Sequence, residues 1–301
     1  MKGKDLNSTH APLQRSLFQE AWIQFKSNRL AICGLIVISI LLVISITTMV
    51  IDLLDGGELY KQLVTKQNLV NKLASPSAEH ILGCDEFGRD MLFRILWGTR
   101  YSLFAGISTI LAAILIGGFF GSIAGYYGGR LDNVIMRFMD MMMTVPSLVL
   151  AMAIYAALGS SLINLLIALA CSQIPQFARI VRSSVMGVKG SEFVEAARAV
   201  GASDILIILK YIIPNALSPV IVQGTLGVAT TILNVAGMSF LGLGITPPTP
   251  EWGSILSSAR IYMRESWHIS VFPGLAIVIC ILSLNLLGDG LRDALDPKQK
   301  R

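Results

Sequence analysis

Six long runs of apolar residues divide the chain, and shorter polar segments separate them. Each run holds about 20 mostly apolar residues, the length that a helix rising about 1.5 Å per residue needs to cross a hydrocarbon layer of about 30 Å. The pattern therefore predicts an all-α, polytopic membrane protein with six transmembrane spans. The predicted spans cover residues 30–51, 102–125, 135–158, 161–180, 216–240 and 269–288.

The polar segments predict how the chain is organised around these spans. Residues 16–29 place apolar side chains around Trp22 and end in basic residues, which is typical of a helix lying at a membrane surface. The first apolar run begins about 30 residues in and lacks a small-residue cleavage site, so we expect it to remain as an anchor. The predicted units are a tail with an interfacial helix (1–29), a first span (30–51) with an outer segment (52–98), a core of five spans (99–290) containing a connecting loop (181–214), and a second tail (291–301).

Proline, glycine and polar residues mark special positions within the spans. Pro146 is predicted to bend the third span. Glycines at four-residue spacing in the second span, from Gly117 to Gly125, predict a surface that lets another helix approach closely. Polar side chains in the fifth span must find partners or water, so they either bond to other helices or line a pathway. The pathway candidates are Gln223, Thr230, Thr231 and Asn234.

Composition and charge support the membrane assignment and predict an orientation. The chain is 53% hydrophobic and 14% charged, with a mean hydropathy of +0.66, whereas soluble domains carry about 25% charged residues. If the N-terminus is cytoplasmic, 16 of the 24 Lys and Arg residues fall on the inside, as the positive-inside rule requires. Both termini are then cytoplasmic. The net charge of +5 is spread over several short loops, which favours a topology signal over nucleic-acid binding.

Sequence motifs for common cofactors and reactions are absent. The chain contains no GxxxxGK[ST] loop and no HExxH, and its three histidines are scattered. No catalytic residue or metal site is therefore predicted. Three of the four cysteines lie inside apolar runs, and Cys84, on the predicted outer side, is expected to be unpaired.

The polar stretch 191–214, SEFVEAARAVGASDILIILKYIIP, predicts two short helices around a turn. Ser191 is a candidate N-cap, Gly201 can adopt the left-handed conformation of the turn, and Pro214 is expected to open the next segment. Helical spacing places one apolar face opposite a charged one, which suits docking against a partner; a plain solvated linker is the alternative. The apolar residues are Phe193, Ala196, Ala197 and Val200, and the charged ones are Glu192, Glu195 and Arg198, with Asp204 beginning the second helix.

The EAA triplet, Gly201 four residues after Ala197, and Pro214 thirteen residues further on resemble the EAA loop of bacterial ABC-importer permeases. In that family the loop inserts into the ATP-hydrolysing subunit, so the residues above are implied to couple to an ATPase. Tyr211 departs from the residue type that is common in the family.

Two further stretches carry the same resemblance. Residues 82–103, LGCDEFGRDMLFRILWGTRYSL, are similar to the LGTDxxGRDxxSRxxxGxRxSL signature of the dipeptide, oligopeptide and nickel branch, with Cys84 and Phe93 as departures. Their charged residues predict either an outer ion-pair network or direct substrate contact: Asp85, Arg89, Asp90 and Arg94. Residues 238–260 predict an outer re-entrant or gating segment with Trp252 at the headgroup level. Within them, FLGLGITPPTPEWGSIL (240–256) is similar to the FLGLGxxPPxPEWGxML stretch of the same branch.

The resemblance extends from Trp22 to the ending NLLGDGLRDALDP at 285–297. It implies a non-catalytic permease subunit in a prokaryotic inner or plasma membrane, in contact with lipid, forming half of a pathway for di- or oligopeptides. The implied partners are a second permease, two subunits that bind ATP and Mg²⁺, and an extracytoplasmic substrate-binding protein. Nickel or metal-chelate uptake is the alternative within the family. An ATP-independent carrier or channel, or a membrane-embedded enzyme, is the alternative outside it.

Overall fold

The computed structural model describes residues 17–295, and within that range the chain is built from helices, with no named β-strand. The all-α prediction is thereby confirmed. Five helices are long and apolar enough to cross a membrane, and a sixth apolar segment is broken in two. The helices of eight or more residues are α1 (Leu17–Ser27), α2 (Arg29–Leu54), α3 (Met91–Tyr127), α4 (Gly129–Met143), α5 (Ser147–Leu158), α6 (Leu162–Lys189), α7 (Glu192–Ala199), α8 (Asp204–Phe240), α9 (Trp252–Ala259) and α10 (His268–Leu295).

The spanning helices run further than the apolar runs that predicted them. α3 has 37 residues and is therefore about 55 Å long. It begins inside the predicted outer segment because the Asp90 carboxylate accepts the backbone N–H groups of Leu92 and Phe93. α3 therefore crosses the predicted boundary at residue 98, and α6 continues past the one at 181 to Lys189. Hydropathy registers the apolar core of a helix, whereas capping sets its ends.

The third predicted span is a broken one. α4 and α5 meet at an angle of 89° across residues 144–146. Proline has no N–H to donate, and it disfavours helical geometry at the residue before it, so Pro146 interrupts the helix. The predicted bend is confirmed, but a single helix over 135–158 is not what forms.

The fifth span continues without a break from the polar stretch. α8 contains a π-helical section at Ile207–Ile212 and then passes through Pro214. Pro214 stands at the start of the α-helical section Ile213–Phe240, as predicted, although that section continues the same helix. The strain that a proline ring places on the preceding turn is absorbed by the wider π-helical turns instead of ending the helix.

Close packing of α3 against α6 forms the centre of the bundle. A Cβ atom added at Gly117 or Gly125 would lie 2.6 Å from the carbonyl oxygen of Ile174 or 2.8 Å from that of Arg182, and Gly121 is packed more tightly still. Such distances leave room only for hydrogen, so the predicted close-approach surface is confirmed. α8 packs along both α3 and α10, and α2 packs on α10.

Alanine at Gly121 is expected to destabilise the bundle by about 1–3 kcal/mol, because its methyl group would collide with the Ala178 carbonyl and push α3 away from α6. Gly118 provides a matched control three residues away, since a Cβ there would meet nothing closer than Val181 at 3.9 Å. Thermal unfolding of the two purified variants in detergent checks this. Equal melting temperatures for Gly121→Ala and Gly118→Ala would contradict the expectation.

The two ends of the bundle carry different segments. One end, which we call the α7 end, contains α7, the start of α2 and the last turns of α3 and α10. At this end Phe25 of α1 packs with Ala31 and Ala294. The opposite end holds residues 55–90 and 241–267. The two limits of the described range therefore lie at the same end, and α1 confirms a helix within the predicted 16–29 stretch. Of the tails predicted at 1–29 and 291–301, residues 1–16 and 296–301 lie outside the described residues.

Candidate functional site

α7 is an eight-residue helix joined to α8 by a tight turn. Gly201 lies in that turn with a φ of +82°, the left-handed conformation that was predicted and that residues with a Cβ rarely adopt. Ser191 occupies the N-cap position, but its hydroxyl donates to the Val188 carbonyl at 2.7 Å instead of accepting from α7. The turn residue is therefore confirmed, and the side-chain cap is not.

The apolar residues of α7 divide between two faces. Val194 and Ala197 are buried and pack with Ile207 and Ile212 of α8 in one apolar cluster. The outward face carries an apolar stripe, defined here as the stripe residues Phe193, Ala196 and Val200. Phe193 is 45% exposed and Val200 is 84% exposed. The predicted single face of four is therefore wrong for Ala197, which points inward with Val194; their three-residue spacing is the signal that could have identified this pair.

The charged residues of α7 surround the exposed stripe. Glu192, Glu195 and Arg198 are all exposed. Asp204, at the start of α8, accepts a hydrogen bond of 2.6 Å from the hydroxyl of Tyr126. Tyr126 was not singled out from the sequence; an aromatic hydroxyl at the polar end of an apolar run is the only signal that pointed to it.

A buried ion cluster holds the segment 55–90 at the opposite end. The Asp85 carboxylate lies 2.6 Å from the Arg89 Nε and 3.3 Å from the Arg94 Nε, and all three side chains are 3% exposed or less. Its other oxygen accepts the backbone N–H groups of Phe87 and Arg89. Arg94 also donates to the carbonyl of Val64 at 3.1 Å. Three of the four predicted residues thus come together.

Asp90 does not join that cluster. One of its oxygens caps α3 and the other lies 2.8 Å from the Nδ1 of His80. A side chain committed to a helix N-terminus points along that helix and away from the preceding turn. Nearby, Cys84 is unpaired as predicted, and it is buried. Burial, together with the neighbouring Asp90 and Asp85 carboxylates, raises the pKa of the Cys84 thiol to about 11.

Trp252 lies inside the protein and is 1% exposed. Its indole N–H donates to the Ile95 carbonyl at 3.0 Å, and its ring packs over Gly98 of α3. The prediction that it contacts the headgroup layer is wrong. Because Gly98 has no side chain, it leaves space on α3 for the Trp252 ring. The hydrophobic pattern around Trp252 carries no information about such a space on a distant helix.

Glu251 is a buried polar residue at this end that sequence reasoning missed. Its side chain is completely enclosed between α3, α8 and α9. It accepts hydrogen bonds from the Ser102 and Ser239 hydroxyls at 3.2 and 3.0 Å, and from the backbone N–H groups of Gly253 and Ser254 at 2.7 Å each. Burial raises the pKa of Glu251 above its ordinary value, against the effect of these four donors. The sequence could have identified Glu251 as an N-cap of α9, but it gives no sign of the hydrogen bonds to Ser102 on α3 and Ser239 on α8.

The four polar residues of the fifth span do not share one face. Thr231 is buried, and its hydroxyl has no hydrogen-bond partner in the described part of the chain. Thr230 is exposed, and its hydroxyl bonds back to the Leu226 carbonyl, while Gln223 and Asn234 are partly exposed. The spacing of 223, 230 and 234 puts these three on one side of α8. Thr231 was therefore wrongly grouped with the others.

Ion pairs fasten α4 to α6 near the α7 end. The Arg182 guanidinium makes two bonds, of 2.6 and 2.7 Å, to the Asp132 carboxylate, and Arg179 lies 2.6 Å from Asp140. Across residues 17–295, no group of three or more His, Cys, Asp or Glu side chains is placed to hold a metal ion.

This arrangement defines a multi-pass helical membrane protein with an amphipathic helix presented at one end. Comparison with protein families matches residues 117–301 to the binding-protein-dependent transport system inner membrane component, and residues 16–74 to the N-terminal TM domain of oligopeptide transport permease C. The chain therefore belongs to the ABC-importer permease family, in its dipeptide and oligopeptide branch, as the resemblance predicted.

Curated relatives cover almost the whole chain. A dipeptide transport system permease protein DppC from Alkalihalophilus pseudofirmus is 45% identical over 95% of this chain and 91% of its own length. The DppC of Haemophilus influenzae is 41% identical over 99% of each chain. A glutathione transport system permease protein GsiD from Escherichia coli is 42% identical over 95% of this chain and 92% of its own length.

Solved structures share the fold at low sequence identity. A chain of the MetNI methionine ABC transporter in inward-facing conformations has a TM-score of 0.56 at 19% identity, covering 68% of this chain and 98% of that one. A chain of an amino acid ABC transporter has a TM-score of 0.52 at 16% identity, covering 67% and 94%. Each of these two chains therefore matches about two thirds of this protein over nearly its own full length.

Proposed function

We propose that the α7 end of the bundle faces the cytoplasm and that α7 docks there into a separate ATP-hydrolysing subunit. The cytoplasmic placement is supported by the topology predicted from the sequence, in which 16 of the 24 Lys and Arg residues are assigned to the side that carries α7. The relative positions of the helices agree with it, because α7 and both limits of the described range lie at one end.

The exposed stripe on α7 is the observation that carries this proposal. Phe193, Ala196 and Val200 form an apolar surface on a short helix whose other face is anchored in the bundle by Val194 and Ala197. An amphipathic helix that lays its apolar face into a groove is a recurring mode of recognition. The inward anchoring means that a push on α7 is passed to the spans.

The chain supplies half of the translocation pathway in this proposal, and a second permease of the same family supplies the other half. Gln223, Thr230 and Asn234 lie on one accessible side of α8, and we assign them to the pathway wall. Thr231 is left out because it is enclosed within this chain.

The proposed substrates are di- and oligopeptides. The relatives described above are named for dipeptide and glutathione transport, and this favours peptide over nickel or a metal chelate. The chain itself binds no cofactor in this proposal and catalyses no reaction; ATP and Mg²⁺ bind to two partner subunits. An extracytoplasmic substrate-binding protein delivers the peptide to the end that carries residues 55–90 and 241–267.

Reconstitution tests the whole proposal. The chain is co-expressed with its companion permease and two ATP-binding subunits, placed in proteoliposomes with the binding protein, and assayed for uptake of a radiolabelled dipeptide. We expect co-purification of all four membrane-associated subunits, uptake that requires ATP, and inhibition by excess unlabelled dipeptide but not by nickel. An ATP-binding subunit carrying a hydrolysis-blocking substitution is the control.

The alternatives give different results in the same assay. Dipeptide uptake by this chain without ATP or an ATP-binding subunit would establish a carrier or channel instead. Uptake of nickel that unlabelled dipeptide does not inhibit would establish the metal alternative.

A further inference from the structure

The side chain of Tyr126 lies where four of the helices at the α7 end of the bundle meet. It lies in the last turn of α3 and is 4% exposed. Its hydroxyl donates to the Asp204 carboxylate at 2.6 Å, and its ring belongs to the same apolar cluster as Val194 and Ala197 of α7. The Lys189 ammonium, at the end of α6, lies 5.6 Å from the ring centre. One side chain therefore joins α3, α6, α7 and α8.

Two charged residues that act on this hydroxyl, Arg198 and Asp204, lie on opposite sides of the turn that contains Gly201. Arg198 belongs to the end of α7 and Asp204 to the start of α8. Any rotation of α7 about that turn changes the distance between these two charged groups. The hydrogen bond from the Tyr126 hydroxyl holds Asp204 at a fixed position relative to α3, on the far side of the turn from Arg198.

α3 reaches from this contact to the opposite end of the molecule without a break. Its 37 residues include Arg94, which binds Asp85, and Ser102, which binds Glu251. The segments 55–90 and 241–259 are thus attached to the far end of the same helix whose near end carries Tyr126. α3 and α6 are held together by the glycine contacts at 117, 121 and 125, so a displacement at Tyr126 moves them as a unit.

We propose that the Tyr126 hydroxyl is a positioning group that transmits displacement of α7 into α3, and through α3 to the segments at the opposite end. This inference rests on the proposed docking of an ATP-hydrolysing subunit onto α7. It adds a second point of force transfer to the one that α7 makes through α8. Docking itself uses the outward stripe and does not involve Tyr126, which faces the bundle.

Tyr126→Phe tests the inference because it removes one oxygen atom and keeps the ring. In the reconstituted transporter we expect the ATP-hydrolysing subunits to bind as before. The ratio of dipeptide transported to ATP hydrolysed is expected to fall about tenfold, which corresponds to about 1.4 kcal/mol. Tyr127→Phe is the matched control: Tyr127 is adjacent and 50% exposed, and its substitution is expected to leave that ratio unchanged.

A double-mutant cycle separates transmission from a general loss of structure. Asp204→Asn weakens the same bond from the other side, so the two single changes and the combined variant are expected to lower the ratio by similar, non-additive amounts. An unchanged ratio in Tyr126→Phe, or fully additive effects, would overturn the inference while the docking proposal stood. Failure of the unmodified chain to capture an ATP-binding subunit would overturn the docking proposal and this inference with it.

Discussion

Replacement of both Phe193 and Val200 by aspartate is expected to abolish ATP-dependent uptake. These side chains are the most apolar part of the exposed stripe on α7, at 45% and 84% exposure. A carboxylate buried in an apolar groove without a partner is strongly disfavoured. If each position contributes about 2 kcal/mol to docking, as central interface residues do, the affinity for the ATP-binding subunit falls roughly 10³-fold.

Co-purification and uptake measure this effect, with Phe193→Leu plus Val200→Ile as the matched control that keeps the surface apolar. Membrane insertion of the aspartate variant is expected to be normal, because both side chains are exposed and neither belongs to the buried core. Capture of the ATP-binding subunit by the aspartate variant at the level of the unmodified chain would refute the assignment of this stripe.

Glu251→Ala is expected to lower the stability of the folded bundle by about 3–5 kcal/mol. The change would leave two serine hydroxyls and two backbone N–H groups unpaired in a closed interior, and each unpaired buried group costs about 1–3 kcal/mol. Because these donors come from α3, α8 and α9, the segment 241–259 is expected to detach from the spans before they separate.

Thermal unfolding and limited proteolysis between residues 241 and 262 check this. Glu265→Ala is the control, since Glu265 lies a few residues beyond that segment, at the same end of the bundle, and is exposed. Glu251→Gln is expected to fall between the two variants, because the amide retains one accepting oxygen but turns an NH₂ group toward donors. Equal stability of Glu251→Ala and Glu265→Ala would show that the four hydrogen bonds do not hold this segment in place.

The sequence alone predicted much of the α7 region. Gly201 marked the turn, and the EAA spacing marked the helix before it. The outward positions Phe193, Ala196 and Val200 follow from the same helical period that defines the buried pair Val194 and Ala197. The period cannot say which of two neighbouring apolar faces turns toward the bundle, so Ala197 was placed on the wrong side.

The opposite end was less predictable because its contacts join distant parts of the chain. Asp85, Arg89 and Arg94 share one short motif, and their pairing could be expected. Glu251 binds Ser102, 149 positions away in sequence, and Trp252 fills the slot at Gly98. Neither contact has a local signature.

The sequence by itself determined that this protein lies in a lipid bilayer, where each span approximately falls, and to which family the protein belongs. Those properties depend on the length and composition of continuous segments, which the cost of burying polar groups in a bilayer controls. Tertiary structure alone decided that Tyr126 meets Asp204, that Glu251 is enclosed, and that Thr231 faces inward. Such contacts depend on the register in which helices pack, and small side chains on distant helices set that register.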